Sequence, residues 1–318
     1  MNETPKIPND LDSLWMPFTA SATFKAAPRM MVGAQGCHYT SLDGQQKIDG
    51  TGGLWCSNAG HGHPRITEAI QRQAATLDFA HCFNQGHPVA FEAASRMVAL
   101  TPGFDHVFFT NSGSEAVDTA LKIALAYHAA KGDGARRILV GRQKAYHGIN
   151  FGGLSVGGIG LNKAQFGTLY PAAHHMRLTL LPVKRFSRGQ RATGAELAGD
   201  LQTFCETHGA NRIAAVIVEP VAGAGGVFPP PIGYLERLRE IATANGILLI
   251  FDEVITGFGR LGAAFGLQHF GVMPDIVTCA KGMTNATVPM GGVFVTGEIR
   301  DAFRNGPPGL PDLLHGYT

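Results

Sequence analysis

The chain has 318 residues, 45% of them apolar and 16% charged, with a net charge of +2. That length and balance suit a globular protein of one large domain or two ordinary ones, and the charge is too thinly spread for a nucleic-acid partner. Lys184-Arg185, Arg188 and Arg191 make only a small basic cluster, and the 42 glycines follow no period, which excludes collagen and low complexity. Five cysteines without a C-x-x-C pair argue against a disulfide frame or structural zinc. The polar stretch 1–12 carries no signal peptide, and no run reaches membrane length, so a cytoplasmic protein is expected.

In chain order, residues 1–16 read as an irregular arm, and Leu14-Trp15-Met16-Pro17-Phe18 is an apolar patch that needs cover. Residues 30–44 read as a small antiparallel hairpin region and 49–55 as a glycine-rich crossover. Helices are expected over 66–77, after Pro64, and over 90–100, between Pro88 and Pro102. A βα rhythm then sets in. Strands are expected at 106–110, 137–140, 213–218, 247–251 and 275–280, and helices at 115–130, 195–208 and 233–244. Such alternation implies a mainly parallel α/β sheet with right-handed crossovers. The chain stops after Pro307-Pro308, Pro311 and His315-Gly316-Tyr317-Thr318 with no closing element, so a partial chain is expected.

Two strand ends carry the chemistry. The unbroken apolar run Ile247-Leu248-Leu249-Ile250-Phe251 stops on Asp252-Glu253, and the run at 275–280 stops on Lys281-Gly282. Open α/β sheets bind ligands at the carboxyl ends of their strands. An acid and a lysine placed there suit pyridoxal phosphate: the lysine as imine partner, the acid holding the ring nitrogen protonated so that the ring accepts electrons. Taken singly, each residue has a plainer reading as a turn residue or a solvated charge.

Asn111-Ser112-Gly113-Ser114-Glu115-Ala116 joins a strand to a helix. Ser112 and Glu115 have capping-box spacing, and the same turn can receive a phosphate on free N–H groups. Tyr146-His147-Gly148 lies in a loop after a strand, where the tyrosine could stack on a flat ring. Glu219-Pro220 closes another strand; its carboxylate could serve a substrate or brace the loop. His61-Gly62-His63 reads as a turn rather than a metal pair, and His174-His175 as isolated and solvated. No glycine cluster reads G-x-G-x-x-G as a turn leading from a strand directly into a helix, and no phosphate-loop motif is present.

With these residues placed, the chain resembles the class III pyridoxal-phosphate-dependent aminotransferases. The landmarks are Asn58-Ala59-Gly60-His61-Gly62-His63-Pro64, residues 111–116, Tyr146-His147-Gly148, Glu219-Pro220, residues 252–260 and Ala280-Lys281-Gly282. Leu14-Trp15-Met16-Pro17-Phe18 and residues 49–56 resemble the subgroup that works on ω-amino acids with pyruvate, typified by β-alanine:pyruvate aminotransferase. The resemblance implies the pyridoxal-phosphate transferase fold of type I. Its large domain, 51–318, would hold a mainly parallel sheet flanked by helices. Residues 1–50 would form an arm and part of a small domain, whose C-terminal portion, with a substrate-binding arginine, would be absent.

The resemblance also implies roles. Lys281 would carry the cofactor and shuttle protons, and Asp252 would hold the ring nitrogen. Gly113 and Ser114 would bind the phosphate, Tyr146 with His147 beside it would face the ring, Val254 would pack on its other side, and Glu219 would support the site. Trp55, Phe18 and Phe83 would line the substrate pocket. Thr318 would reach the phosphate of a partner subunit in a homodimer or larger homo-oligomer. The partners would be an amino donor and an α-keto acid, with no nucleic acid and no membrane. The alternatives are an aminomutase or decarboxylase of the same family, or an inactive fragment that binds the cofactor.

Overall fold

The computed structural model describes residues 6–167, 169–180, 186–304 and 311–317. Thr318, Lys184, Arg185 and Pro307-Pro308 lie outside the described residues. The chain forms two compact units, Met1–Phe79 and Ala80–Thr318.

In the first unit, β1 (Met31–Gln35), β2 (His38–Ser41) and β3 (Gln46–Ile48) form an antiparallel sheet in that order. Gln35 pairs with His38 across a two-residue turn, and Gly36 takes φ +57 there, the left-handed conformation such a hairpin turn requires. Helix Pro64–Thr76 begins on proline, whose missing N–H costs nothing in a first turn. Leu14, Trp15 and Phe18 of the expected apolar patch are 69%, 92% and 78% exposed.

The second unit is built on a seven-stranded sheet: β4 (His106–Thr110), β5 (Ile138–Arg142), β6 (Ala173–Met176), β7 (Ile213–Val218), β8 (Leu248–Asp252), β9 (Ile276–Cys279) and β10 (Gly291–Val295). Their spatial order is β4-β10-β9-β8-β7-β5-β6. The β6-β5-β7-β8-β9 block is parallel throughout, and β10 runs antiparallel to both β9 and β4. The fold is thus the expected α/β one with a mainly parallel sheet.

Two strands were not foreseen. Gly291-Gly292 lacks the branched side chains that mark a strand, yet β10 is buried along its length. His174-His175, expected to be isolated and solvated, instead belongs to β6. His174 packs against His208 with ring centroids 4.4 Å apart, and His175 Nε2 lies 2.9 Å from the Gly157 carbonyl. Burial at the sheet edge overrides the polarity of these imidazoles.

The pleat sends alternate residues to opposite faces. Ala215, Ile217, Ile250, Ile276 and Val293 pack in one cluster with Val117, Ala120, Leu121 and Ala124 of helix Gly113–Ala130. Val216, Val218, Leu249, Phe251 and Val277 pack in the other with Leu201 of helix Gly199–His208 and Leu235 and Leu238 of helix Tyr234–Ala244. Each such Val, Leu or Ile contributes roughly 1.5–3 kcal/mol by leaving water. Covering both faces explains why these strands read as continuous apolar runs. No described helix is long and apolar enough to cross a membrane.

Candidate active site

Asp252 is the last residue of β8 and pairs in register with Thr278 of the neighbouring β9. Both strands therefore end at one edge of the sheet, and Lys281 follows β9 at that edge. The Asp252 carboxylate is buried. It receives His147 Nδ1 at 2.7 Å, the Val254 N–H at 3.1 Å and the Thr278 hydroxyl at 3.3 Å. A carboxylate only accepts, so His147 must carry its proton on Nδ1. His147 Nε2 is buried with no hydrogen-bond partner.

Lys281 opens the short 3-10 turn Lys281–Met283 with φ +49. A long side chain in the left-handed region is strained, and such strain gathers at functional sites. The turn is held by its own backbone: Lys281 O accepts from Thr284 at 3.4 Å and from Ala286 at 3.2 Å.

Helix Gly113–Ala130 points its amino end at the same edge, because β4, which feeds it, is parallel to β9 across β10. Ser112 Oγ accepts the Glu115 N–H at 3.1 Å, and Glu115 reaches back to the Asn111 N–H at 2.7 Å. The box therefore closes one residue earlier than the usual form. The remaining first-turn N–H groups have no intrahelical partner, and with the helix dipole they favour an anion. A side chain at Gly113 would touch Val254 at 3.1 Å and Ala280 at 3.3 Å. Gly113, Val254 and the residue before Lys281 are thus immediate neighbours.

The loop after β5 joins them. Gly148 takes φ +85, and a Cβ there would fall 2.5 Å from Ser114 Oγ, so only glycine fits; the Ile149 N–H bonds that oxygen at 3.3 Å. Tyr146 is half-buried, and its phenol is held above the usual value by burial and then by the Asp252 charge. Glu219 accepts the Tyr146 N–H at 3.0 Å and the Gly223 N–H at 2.7 Å, tying together the loops after β5 and β7. Its carboxyl is pushed up, first by burial and also by Asp252, against the lowering effect of His147. Of the two uses read for Glu219, bracing the loop is the one its hydrogen bonds display.

Asp252, Val254, Gly113, Ser114, Tyr146, His147 and Glu219 therefore converge around one edge. Phe18 and Trp55 belong to the first unit. Phe83, in the second, is 60% exposed and lies 3.6 Å from where a Cβ on Gly316 would be. The His-Gly-Tyr segment docks on helix Gly113–Ala130: His315 Nε2 is 2.8 Å and the Tyr317 hydroxyl 3.2 Å from Thr119 Oγ1.

Arg142 escaped the sequence reading. It is fully buried at the end of β5, donates to the Glu219 carbonyl at 3.1 Å and lies 5.8 Å over the Tyr234 ring. The signal was a charge closing an apolar strand, as at Asp252. Glu253 is the second such residue. It accepts from Thr256 Oγ1 and the Leu267 N–H at 2.7 Å and from the Gly266 N–H, so it anchors the loop behind Asp252. Burial pushes its carboxyl up. His61-Gly62-His63, read as a turn, takes a left-handed φ of +60 at Gly62, and His61 is bonded to Asp49 at 2.7 Å.

The donor set fits pyridoxal phosphate on the geometry of the residues themselves. A glycine cradle at a helix amino end would receive an anion, a buried carboxylate would meet a ring nitrogen, and a lysine follows on the adjacent strand.

A family model for class-III aminotransferases matches residues 20–318. An omega-aminotransferase of Caulobacter vibrioides is 55% identical over 312 residues, 98% of this chain and 71% of the relative. A beta-alanine–pyruvate aminotransferase of Pseudomonas aeruginosa is 47% identical over 324 residues, 100% of this chain and 72% of the relative. The solved structure of an amine transaminase from an uncultivated Pseudomonas species, in a PLP-bound form, superposes with a TM-score of 0.89 at 36% identity, covering 99% of this chain and 71% of that one. The chain belongs to the class III aminotransferases, which are pyridoxal-phosphate-dependent enzymes.

Proposed function

We propose that the chain moves an amino group from an ω-amino acid or amine, such as β-alanine, to pyruvate or another α-keto acid in two alternating half-reactions. The observation that carries the reading is the meeting of Gly113, Val254 and Ala280 beside the Asp252–His147 pair, directly before Lys281. The named activities of the two relatives support the donor and acceptor.

Bound pyridoxal phosphate supplies an electron sink for the carbon that loses its proton. The chain's own residues do the rest. The first turn of helix Gly113–Ala130, with Gly113 and Ser114, would bind the phosphate. Asp252, fixed by His147, Thr278 and the Val254 N–H, would offer its carboxylate to the ring nitrogen. Tyr146 and Val254 would pack against the ring, and Glu219 keeps the Tyr146 loop in place. Lys281 Nζ would hold the cofactor between turnovers and would move the proton that the donor gives up. In the first half-reaction the donor would leave as an aldehyde or ketone, its amino group staying with the cofactor and a water supplying the carbonyl oxygen. In the second, pyruvate would take up that amino group, release its keto oxygen as water and leave as alanine. Phe18, Trp55 and Phe83 would be the side chains that meet the substrate, and the chain would act as a homodimer or larger homo-oligomer. The protein works in the cytoplasm.

The purified chain, loaded with pyridoxal phosphate and given a panel of ω-amino acids and amines with pyruvate, is expected to form alanine. Loss of carbon dioxide or an internal amino shift, with no alanine, would replace the reading by a decarboxylase or aminomutase. Lys281→Ala should abolish both turnover and borohydride trapping of the cofactor. Trapping retained at that position would remove Lys281 from its role.

A further inference from the structure

In the first unit the segment 49–55 is folded around one carboxylate. Asp49, directly after β3, has a side chain only 4% exposed. Its Oδ2 accepts His61 Nε2 at 2.7 Å and the Gly53 N–H at 2.6 Å. Its Oδ1 accepts the Thr51 hydroxyl at 3.1 Å and the Thr51 N–H at 3.3 Å. The Thr51 hydroxyl proton is shared between Asp49 Oδ1 and the Gly53 carbonyl, the latter at 2.7 Å, and the Trp55 N–H closes onto the Thr51 carbonyl at 3.0 Å.

His61 is itself anchored. Its N–H donates to the Gly36 carbonyl at 2.7 Å, its carbonyl accepts from the Gly36 N–H at 2.9 Å, and its ring lies 4.6 Å from that of Tyr39. The hairpin thus fixes His61, His61 fixes Asp49, and Asp49 fixes the loop that ends on Trp55.

That loop needs fixing. Gly52 and Gly53 take φ +58 and +68, and Trp55 takes φ +58, a conformation that costs a bulky side chain free energy. A tryptophan rests there only when its surroundings over-determine the backbone, and the hydrogen bonds converging on Asp49 do so.

We propose that Asp49 and His61 are positioning residues that hold Trp55 in place and thereby set which amine donors enter by size. The inference rests on the assignment of Trp55 to the substrate pocket. Trp has the largest side chain available, so its placement decides whether a bulky aryl amine fits beside a small ω-amino acid.

The test is made in the holoenzyme carrying Trp15→Phe, which leaves Trp55 as the sole tryptophan of the two in the sequence. Asp49→Ala and His61→Leu are expected to raise acrylamide quenching of Trp55 and to shift the ratio of kcat/KM for a bulky aryl amine over β-alanine by about tenfold. His61→Gln, which still offers a side-chain N–H, should restore much of both readouts. The donor ratio is also measured with Trp restored at 15, where Trp55→Gly should move it alone and Asp49→Ala should add less than about twofold on top. The proposal is overturned if quenching and donor ratio keep their wild-type values in Asp49→Ala, or if its effect persists undiminished in the Trp55→Gly background. A Trp55→Gly variant with an unchanged donor ratio would defeat the pocket assignment, and the specificity role with it. That failure differs from a failed clasp, which quenching alone would reveal. Asp49→Asn, checked by circular dichroism, carries the same readouts should the alanine variant not fold.

Discussion

The Asp252 carboxylate is held by three donors of different kinds: an imidazole, a hydroxyl and a backbone N–H. Asp252→Asn keeps the shape but removes the charge, and one of its amide hydrogens would face His147. We expect such a variant to fold and bind the cofactor while kcat falls by about a hundredfold or more. A rate within a few-fold of wild type would reject its role. Glu253 gives a prediction of the opposite kind, about stability. Burial raises its carboxyl in the folded chain, so the folded state binds the proton more tightly than the unfolded state does. Its contribution is fully present below the ordinary glutamate value and is lost as pH rises through the raised one. Thermal unfolding of Glu253→Gln followed from acid to neutral pH should show a flatter fall in Tm than wild type; identical slopes would refute the shift.

At the scale of elements, the amino end of helix Gly113–Ala130 depends on its cap. Ser112→Ala removes the acceptor for the Glu115 N–H, and the expected loss is about 1 kcal/mol in denaturant unfolding, with weaker cofactor binding by equilibrium titration. Leu238→Ala, in the core of helix Tyr234–Ala244, should cost about 2–5 kcal/mol without moving the cofactor's affinity. These elements were legible in the sequence. Ile213 to Val218 and Leu248 to Asp252 read as buried strands because helices cover both their faces, and the charge that ends each run marks the site. β10 and β6 were not legible. Gly291 is glycine because a Cβ would fall 2.5 Å from the Ser112 carbonyl, a constraint visible only once β4 and β10 lie side by side. His61 and Asp49 are twelve residues apart, and no local pattern couples them. Arg142 likewise takes its meaning from the Glu219 carbonyl, 77 residues away.

On the scale of the molecule, the exposed Leu14, Trp15 and Phe18 accompany Leu54 at 77% exposure in the first unit. Apolar patches on a surface mark association sites, and these side chains are exposed enough to contribute to one. Sedimentation of the purified chain should give a dimer or larger assembly, and a monomer at all concentrations would contradict the proposed homo-oligomer.

The position of β10 has a consequence for biogenesis. Among the described residues β4 has no strand neighbour other than β10, the last of the seven strands in chain order. A ribosome-held chain that ends before Gly291 can assemble the parallel block yet leaves β4 without its rung. The anion-receiving turn at Gly113 then lacks the lattice that sets it against Ala280. Vitamin capture is thereby deferred until translation is nearly through this segment, and arrested nascent chains ending just before and just after residues 291–295 should differ in whether they take up the cofactor.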